Sequence, residues 1–188
     1  MRVILLCLSL VYSLVWTMSV DAAEYVIDSR GAHASIVFKF KHIGISWLTG
    51  QFKSFNGTFT YDQNDPGASK IVVEIDPASL DSNHAERDKH IRGEDYLNVA
   101  RYPQARFEST RIEPLGEGKA TVYGNLTLHG QTREIAIDAN LTGQGNDPWG
   151  GYRVGLEGFT VLSTTDFGFK MPPTNEVHLE LYLEGVRR

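Results

Sequence analysis

The sequence predicts an all-β domain with one short helical insertion. Apolar and polar residues alternate with a period of two over most of the chain beyond residue 23, and turn residues recur at regular intervals. Only residues 77–103 break this pattern with a helical one. About eight or more antiparallel strands must avoid exposed edges, so the sheet is expected to form a closed barrel or a sandwich.

The strands are predicted directly from the alternation. Apolar residues on one face and polar residues on the other favour an up-and-down barrel with an apolar interior. Phe55-Asn56-Gly57 is interpreted as a hairpin turn and residues 143–151 as a loop, while Gly124, Gly155 and Gly158 predict sharp coiling or a ligand close to the backbone. The predicted strands cover residues 25–28, 36–41, 46–54, 57–62, 71–75, 104–115, 121–128, 134–141, 152–163 and 176–185.

The helical insertion is predicted over residues 84–92. Asn83 can cap its N-terminus, and Glu86 three residues later completes a pair similar to a capping box. Gly93 is a suitable stop signal, and residues 94–100 follow as a second short turn or helix.

The N-terminal residues 1–22 are typical of a secretory signal peptide. Arg2 supplies a positive charge, an apolar stretch follows, and Val20-Asp21-Ala22 offers a cleavage site, with Ala23 as the neighbouring alternative. An uncleaved membrane anchor is the other interpretation of this segment. Cleavage leaves one domain, residues 23–188, without cysteine because Cys7 is removed. We therefore expect a periplasmic protein whose core is sufficient without disulfides.

Composition and motifs argue against several classes of function. With 18 Lys and Arg against 23 Asp and Glu, the net charge of −5 argues against nucleic acid as a partner. Absence of cysteine from the mature chain excludes thiol catalysis. Glu86 and His90 form a close pair at helical spacing, but two ligands do not make a metal centre. The sequence thus predicts no catalytic residues, no metal site and no enzyme activity.

The helical insertion also carries a recognisable signature. Residues 87–92 (Arg-Asp-Lys-His-Ile-Arg), 96–99 (Tyr-Leu-Asn-Val) and 102–109 (Tyr-Pro-Gln-Ala-Arg-Phe-Glu-Ser) resemble the signature of the YceI-like polyisoprenoid-binding family. The resemblance extends over residues 24–186. Other matching segments are 41–44, 50–52, 55–59, 124–132 and 165–168. One departure is that residues 159–164 lack the Arg that often precedes the Asp-Phe-Gly segment in this family.

The resemblance implies a lipocalin-like antiparallel β-barrel that holds a long isoprenoid lipid, of polyprenyl or isoprenoid quinone type, with no cofactor. Arg87, His90 and Arg92 are the candidates for contacts with its headgroup. The alternative for the apolar residues is a solid core, as in small closed barrels. The residues expected to line the interior are Phe38, Phe40, Phe59, Val122, Leu126, Ile135, Ile137, Leu179 and Leu181.

Two further functional classes stay open at the level of sequence. A structural or interaction barrel without a ligand would expose an apolar outer patch, to which Trp47 and Val161 could contribute. An enzyme acting on a small lipophilic substrate would need convergent polar groups inside the barrel. The favoured hypothesis is an exported isoprenoid-binding protein for storage, transport or stress-related handling, with transient membrane contact and a homodimer as further options.

Overall fold

The computed structural model describes residues 22–31, 33–170 and 176–188. Except for Ala22, the predicted signal peptide lies outside the described residues. The helix α1 covers Ala85–Arg92, and short 3₁₀ turns cover Pro66–Ala68, Pro77–Ser79 and Thr164–Phe167. The strands are β1 Ala23–Ile27, β2 Ser35–His42, β3 Ser46–Phe52, β4 Phe55–Tyr61, β5 Lys70–Ile75, β6 Leu80–Asp81, β7 Ala105–Gly116, β8 Lys119–Leu128, β9 Gln131–Asn146, β10 Tyr152–Ser163 and β11 Glu176–Arg187.

These strands close into an eight-stranded antiparallel barrel, because three pairs of short strands each act as one broken strand. β1 pairs with residues 185–187 of β11, and β2 pairs with residues 177–182 of the same strand. In the next broken strand, β4 pairs with β1 and β3 pairs with β2. In the third, β5 pairs with β4 and β6 pairs with β3. β7 to β11 then pair in chain order. The predicted all-β barrel with one helix is confirmed.

Two turn predictions were wrong. Asn56 and Gly57 lie inside β4 instead of forming a hairpin turn, and residues 143–146 extend β9 instead of beginning a loop. Gly57 is required by close packing, since a Cβ there would lie 2.5 Å from the carbonyl oxygen of Val72 and 2.8 Å from Cδ1 of Ile27. A glycine at a close approach of two strands looks like a turn signal when only the sequence is considered.

The predicted helix is present, but its cap is one residue later. His84, with extended backbone, accepts a hydrogen bond at Nδ1 from the backbone N–H of Arg87 at 3.2 Å. Asn83 precedes this cap in the left-handed region, with φ 62°. Gly93 ends the helix as predicted. Residues 94–100 form turns, so the insertion carries α1 alone as regular helix.

The barrel interior is packed differently at its two ends. At one end, Tyr25 and Phe59 stack with ring centroids 5.0 Å apart, close to the fully buried Val154. At the other end, Phe38, Leu80 and Leu97 form a smaller buried cluster beneath α1. In the described part of the chain, no helix has the length and apolar character needed to span a membrane.

Candidate functional site

A cavity of about 770 Å³ occupies the end of the barrel beneath α1. Every strand except β1, β4 and β9 contributes side chains to its lining, and α1 with its following turns covers them. Residues 41–44, at the turn between β2 and β3, also line the cavity and are exposed to solvent. The cavity therefore has a mouth between this turn and α1.

The wall of this cavity is mainly apolar. Alternation along β2 places Phe38 and Phe40 on the same side of the strand, with ring centroids 6.3 Å apart. The Phe38 ring also packs against that of Phe52 on the neighbouring strand, with ring centroids 5.6 Å apart. Leu80 and Leu97 close the wall from the segments that flank α1. Such a surface favours an apolar ligand, because it offers few hydrogen-bonding groups.

A second, narrower cavity of about 90 Å³ extends further into the barrel. Ile36, Ile75, Leu126 and Leu179 line both cavities, so the inner cavity lies directly next to the outer one. Thr160 also lines this inner cavity, and its hydroxyl donates to the carbonyl oxygen of Ala136 at 2.8 Å. The interior thus combines a wide outer chamber with a narrow inner extension.

Polar groups are held at the α1 side of the outer chamber. Arg87 lines the cavity and donates from Nε to the hydroxyl of Ser82 at 2.7 Å and from Nη2 to its carbonyl oxygen at 2.5 Å. Asp88 is only 5% exposed and accepts hydrogen bonds from the backbone N–H of Ser82, at 2.9 Å, and from the Ser82 hydroxyl. This network fixes the guanidinium in place at the chamber, where it can contact an anionic or carbonyl oxygen.

The other two predicted headgroup residues have different surroundings. His90 lines the cavity at its exposed side, and its ring meets Tyr96 edge-on at 4.8 Å. Arg92 does not line the cavity. Its Nε donates to the carbonyl oxygen of Asp88 at 3.0 Å and its Nη1 to that of Ala78 at 3.2 Å, which ties α1 to the preceding 3₁₀ turn.

The structure brings eight of the nine predicted apolar residues to the two cavities. Phe59 lies elsewhere, against Tyr25 at the packed end of the barrel. The role of the nine predicted residues in ligand binding stays a prediction. The outer chamber is lined by Phe38, Phe40, Leu126 and Leu179, and the inner one by Val122, Ile135, Ile137 and Leu181, together with Leu126 and Leu179.

Several lining residues were not predicted because they lie outside alternating strands. Leu80, Leu97 and Phe167 occupy a two-residue strand, a turn and a 3₁₀ turn, where a period of two gives no signal. The signature segments 96–99 and 165–168 were the available clue. The ring of His129 donates from Nδ1 to the carbonyl oxygen of Phe167 at 2.8 Å, which holds the Asp-Phe-Gly segment against the barrel.

Outside the cavities, Asp28, His33 and Glu184 form a group with the spacing of metal ligands, within 4.8 Å of one another. Arg153 donates to Asp28 at 2.8 Å and also to Glu184 and Asp147. These carboxylates therefore already have a cationic partner. The arrangement is explained by an ion-pair cluster that ties the gap between β1 and β2 to β10 and β11.

Comparisons with known proteins agree with the geometry. A UPF0312 protein of Shewanella baltica is 50% identical over 179 residues, covering 94% of each chain. A UPF0312 protein of Shewanella oneidensis matches to the same extent. Identity at this level over nearly the whole of each chain shows that this protein and these relatives belong to one family.

Solved structures show the same barrel at lower sequence identity. Burkholderia cenocepacia BcnA has a TM-score of 0.75 at 22% identity, covering 84% of this chain and 98% of that one. A polyisoprenoid binding domain from Saccharophagus degradans has a TM-score of 0.66 at 14% identity, covering 89% and 99%. A family model described as the YceI-like domain matches residues 25–185. The chain therefore belongs to the YceI-like family.

Proposed function

We propose that this protein is an exported binding protein that holds a long isoprenoid lipid inside its barrel. The observation that carries the proposal is the 770 Å³ apolar chamber with its narrow inner extension. Its volume is in the range of about 300–1,000 Å³ that is common for small-molecule sites. A wide outer part and a narrow inner part suit a ligand with a headgroup and a long tail.

An isoprenoid tail suits this interior because it has no hydrogen-bonding groups to satisfy. Burial of each methylene from water is favourable by about 0.8 kcal/mol. A bilayer offers nearly the same gain, so net extraction from a membrane depends on shape fit and headgroup contacts. The similarity of the fold to the polyisoprenoid binding domain of Saccharophagus degradans supports the choice of ligand.

The headgroup is proposed to lie between Arg87 and His90. Ser82 holds the Arg87 guanidinium through Nε and Nη2, and within the described residues no acceptor is bonded to its Nη1. His90 adds a ring nitrogen at the exposed side of the chamber. A phosphate or quinone oxygen could accept hydrogen bonds from both groups. Binding, and not catalysis, is the proposed role, because the nearby Asp88 carboxylate is already bonded to Ser82.

Residues 1–22 support a periplasmic location, where the protein would store, transport or otherwise handle the lipid, including under stress. Removal of these residues at export leaves the barrel, β1 of which begins at Ala23. A membrane surface is the proposed source of the ligand.

The proposal is tested by isolating the protein from the periplasm, measuring its native mass and extracting any bound lipid into organic solvent. We expect close to one isoprenoid per chain. Leu179 lines both cavities, so Leu179→Trp puts a larger side chain where they meet and should reduce the bound fraction, whereas the matched Leu115→Trp, on an exposed strand end, should not. An unchanged apo mass after incubation with detergent-solubilised isoprenoid would contradict the proposal.

A further inference from the structure

The tip of the β2–β3 hairpin, residues 41–47, exposes an unusual amount of apolar surface. Ile43 is 77% exposed, Ile45 is 80% exposed and Trp47 is 47% exposed. These three residues lie within a five-residue segment, and Ile43 lines the mouth of the outer chamber. Exposed large apolar groups concentrated at one tip indicate an interaction surface.

The backbone conformation at this tip does not favour an isoleucine at position 43. The N–H of Ile45 donates to the carbonyl oxygen of His42 at 3.0 Å, and Ile43 and Gly44 between them have φ values of 48° and 76°. A β-turn with positive φ at both central positions strongly prefers Asn, Asp or Gly there. A β-branched side chain is disfavoured in the left-handed region. Folding alone therefore does not explain an exposed isoleucine at position 43, and strain of this kind is common at functional sites.

Positive charge accompanies the apolar tip. The Nζ atoms of Lys41 and Lys39 lie 5.3 Å and 5.5 Å from the centre of the Trp47 ring. Lys39 also forms an ion pair with Glu180. Lys41, by contrast, has no carboxylate within 4.0 Å among the residues that the structure describes. Since the chain as a whole has a net charge of −5, this tip is a local basic and apolar feature of an acidic protein.

We propose that the hairpin tip inserts Ile43 and Ile45 into the surface of an anionic lipid bilayer, where Lys41 contacts lipid phosphates. Apolar side chains flanked by lysine and tryptophan are the combination that binds the membrane interface. Because residues 41–44 also line the outer chamber, this orientation places the cavity mouth on the bilayer. The inference rests on the proposed function, for which it supplies a route by which a lipid tail enters without crossing water.

The test is flotation of the purified protein with vesicles of phosphatidylcholine and phosphatidylglycerol that contain no isoprenoid. We expect the wild-type protein to float with these vesicles, and to bind less as salt is increased or when phosphatidylglycerol is omitted. The double variant Ile43→Asn, Ile45→Ser should lose about tenfold in partitioning or more, because two apolar side chains no longer insert. Because Asn at position 43 suits the turn, the midpoint of thermal unfolding of the double variant should equal or exceed that of the wild-type protein.

A control variant and two further measurements decide the result. Trp149 is 79% exposed in the loop after β9, at the opposite end of the barrel, and Trp149→Ser should leave vesicle binding unchanged. The proposal would be overturned if Trp149→Ser lost as much vesicle binding as the double variant, or if the double variant bound vesicles as the wild-type protein does. A change in oligomeric mass caused by the double variant would also overturn it, because such a change would identify the tip as a contact between two copies. Ile45→Ser alone should also weaken vesicle binding, and because Ile45, unlike Ile43, does not line the chamber, this variant's uptake of detergent-solubilised isoprenoid should persist, which separates this test from that of the proposed function.

Discussion

At the scale of single residues, Arg153 has the densest set of ionic contacts in the described chain. It joins Asp28, Asp147 and Glu184, which come from three different segments, and the Asp147 side chain is 7% exposed. Arg153→Gln leaves these carboxylates without their cation, so we expect a lower free energy of unfolding in urea denaturation, by more than the loss of a single exposed ion pair would cause.

The control for this change is an exposed ion pair. Arg111 pairs with Glu113, and both side chains are about half exposed. Arg111→Gln should therefore change the free energy of unfolding by less than about 1 kcal/mol. Equal effects of the two variants would show that the Arg153 cluster adds no more than an ordinary surface pair.

The same cluster predicts a dependence of stability on pH. Hydrogen bonds from His33 and Arg153 hold the pKa of Asp28 at about 2, below its ordinary value of 3.8. A carboxylate whose pKa is lowered by folding stabilises the native state above the unfolded pKa, and this contribution disappears as pH falls through the folded one. The free energy of unfolding should therefore fall between pH 4 and pH 2, roughly the interval between the two pKa values.

Asp28→Asn isolates this contribution from that of the other carboxylates. The pKa values of Asp147 and Asp81 are also lowered, by hydrogen bonds with Arg153 and Lys53 respectively. Urea denaturation of both proteins over this pH interval should show that the free energy of unfolding changes less steeply with pH in the variant. Identical slopes would contradict the assignment of a lowered pKa to Asp28.

At the scale of elements, the strands differ in how closely they approach one another. A Cβ on Gly124 of β8 would lie 2.5 Å from Cζ of Phe107 and 2.6 Å from the carbonyl oxygen of Glu108. Gly124→Ala should therefore destabilise the protein by about 1–3 kcal/mol through overpacking. Around Gly143 of β9 there is open space, so Gly143→Ala should be neutral or stabilise by about 0.4–1 kcal/mol in the same denaturation experiment.

The outcomes of one strand prediction and one turn prediction show what the sequence conveys about elements. The run from Val122 to Leu128 was predicted correctly, because alternation depends on the strand itself. Asn56-Gly57 was assigned wrongly, because the close approach of Val72 comes from a strand that the local pattern does not include. Similarly, Asn83 was assigned as a cap although His84 performs this role, since both residues have side chains that can accept a hydrogen bond.

At the scale of the whole molecule, alternation predicts an apolar interior but cannot tell whether the interior is filled. Phe38 and Phe59 are both inward-facing aromatic residues, yet Phe59 packs against Tyr25 while Phe38 lines a chamber. The difference comes from residues 82–104, which run between β6 and β7 and cover one end of the barrel with α1. Their contacts are long-range, and only the family resemblance indicated a hollow interior from the sequence.

The narrow inner cavity makes a prediction about the length of the ligand. Leu181 lines this cavity and not the outer chamber. Leu181→Phe adds volume where the distal end of a long tail is proposed to lie. We expect about tenfold weaker binding of a long isoprenoid, because two or so methylenes lose their place in the interior. A short isoprenoid, which needs the outer chamber alone, should bind as it does to the wild-type protein.

Competition between a long and a short isoprenoid, each solubilised in detergent, measures this difference in one experiment. Leu115→Phe, at an exposed position, is the matched control and should leave both affinities unchanged. If Leu181→Phe weakened both ligands equally, the substitution would be acting on the barrel as a whole. If it weakened neither, the tail would end in the outer chamber, since an inner cavity of about 90 Å³ has no room for both a larger side chain and a lipid.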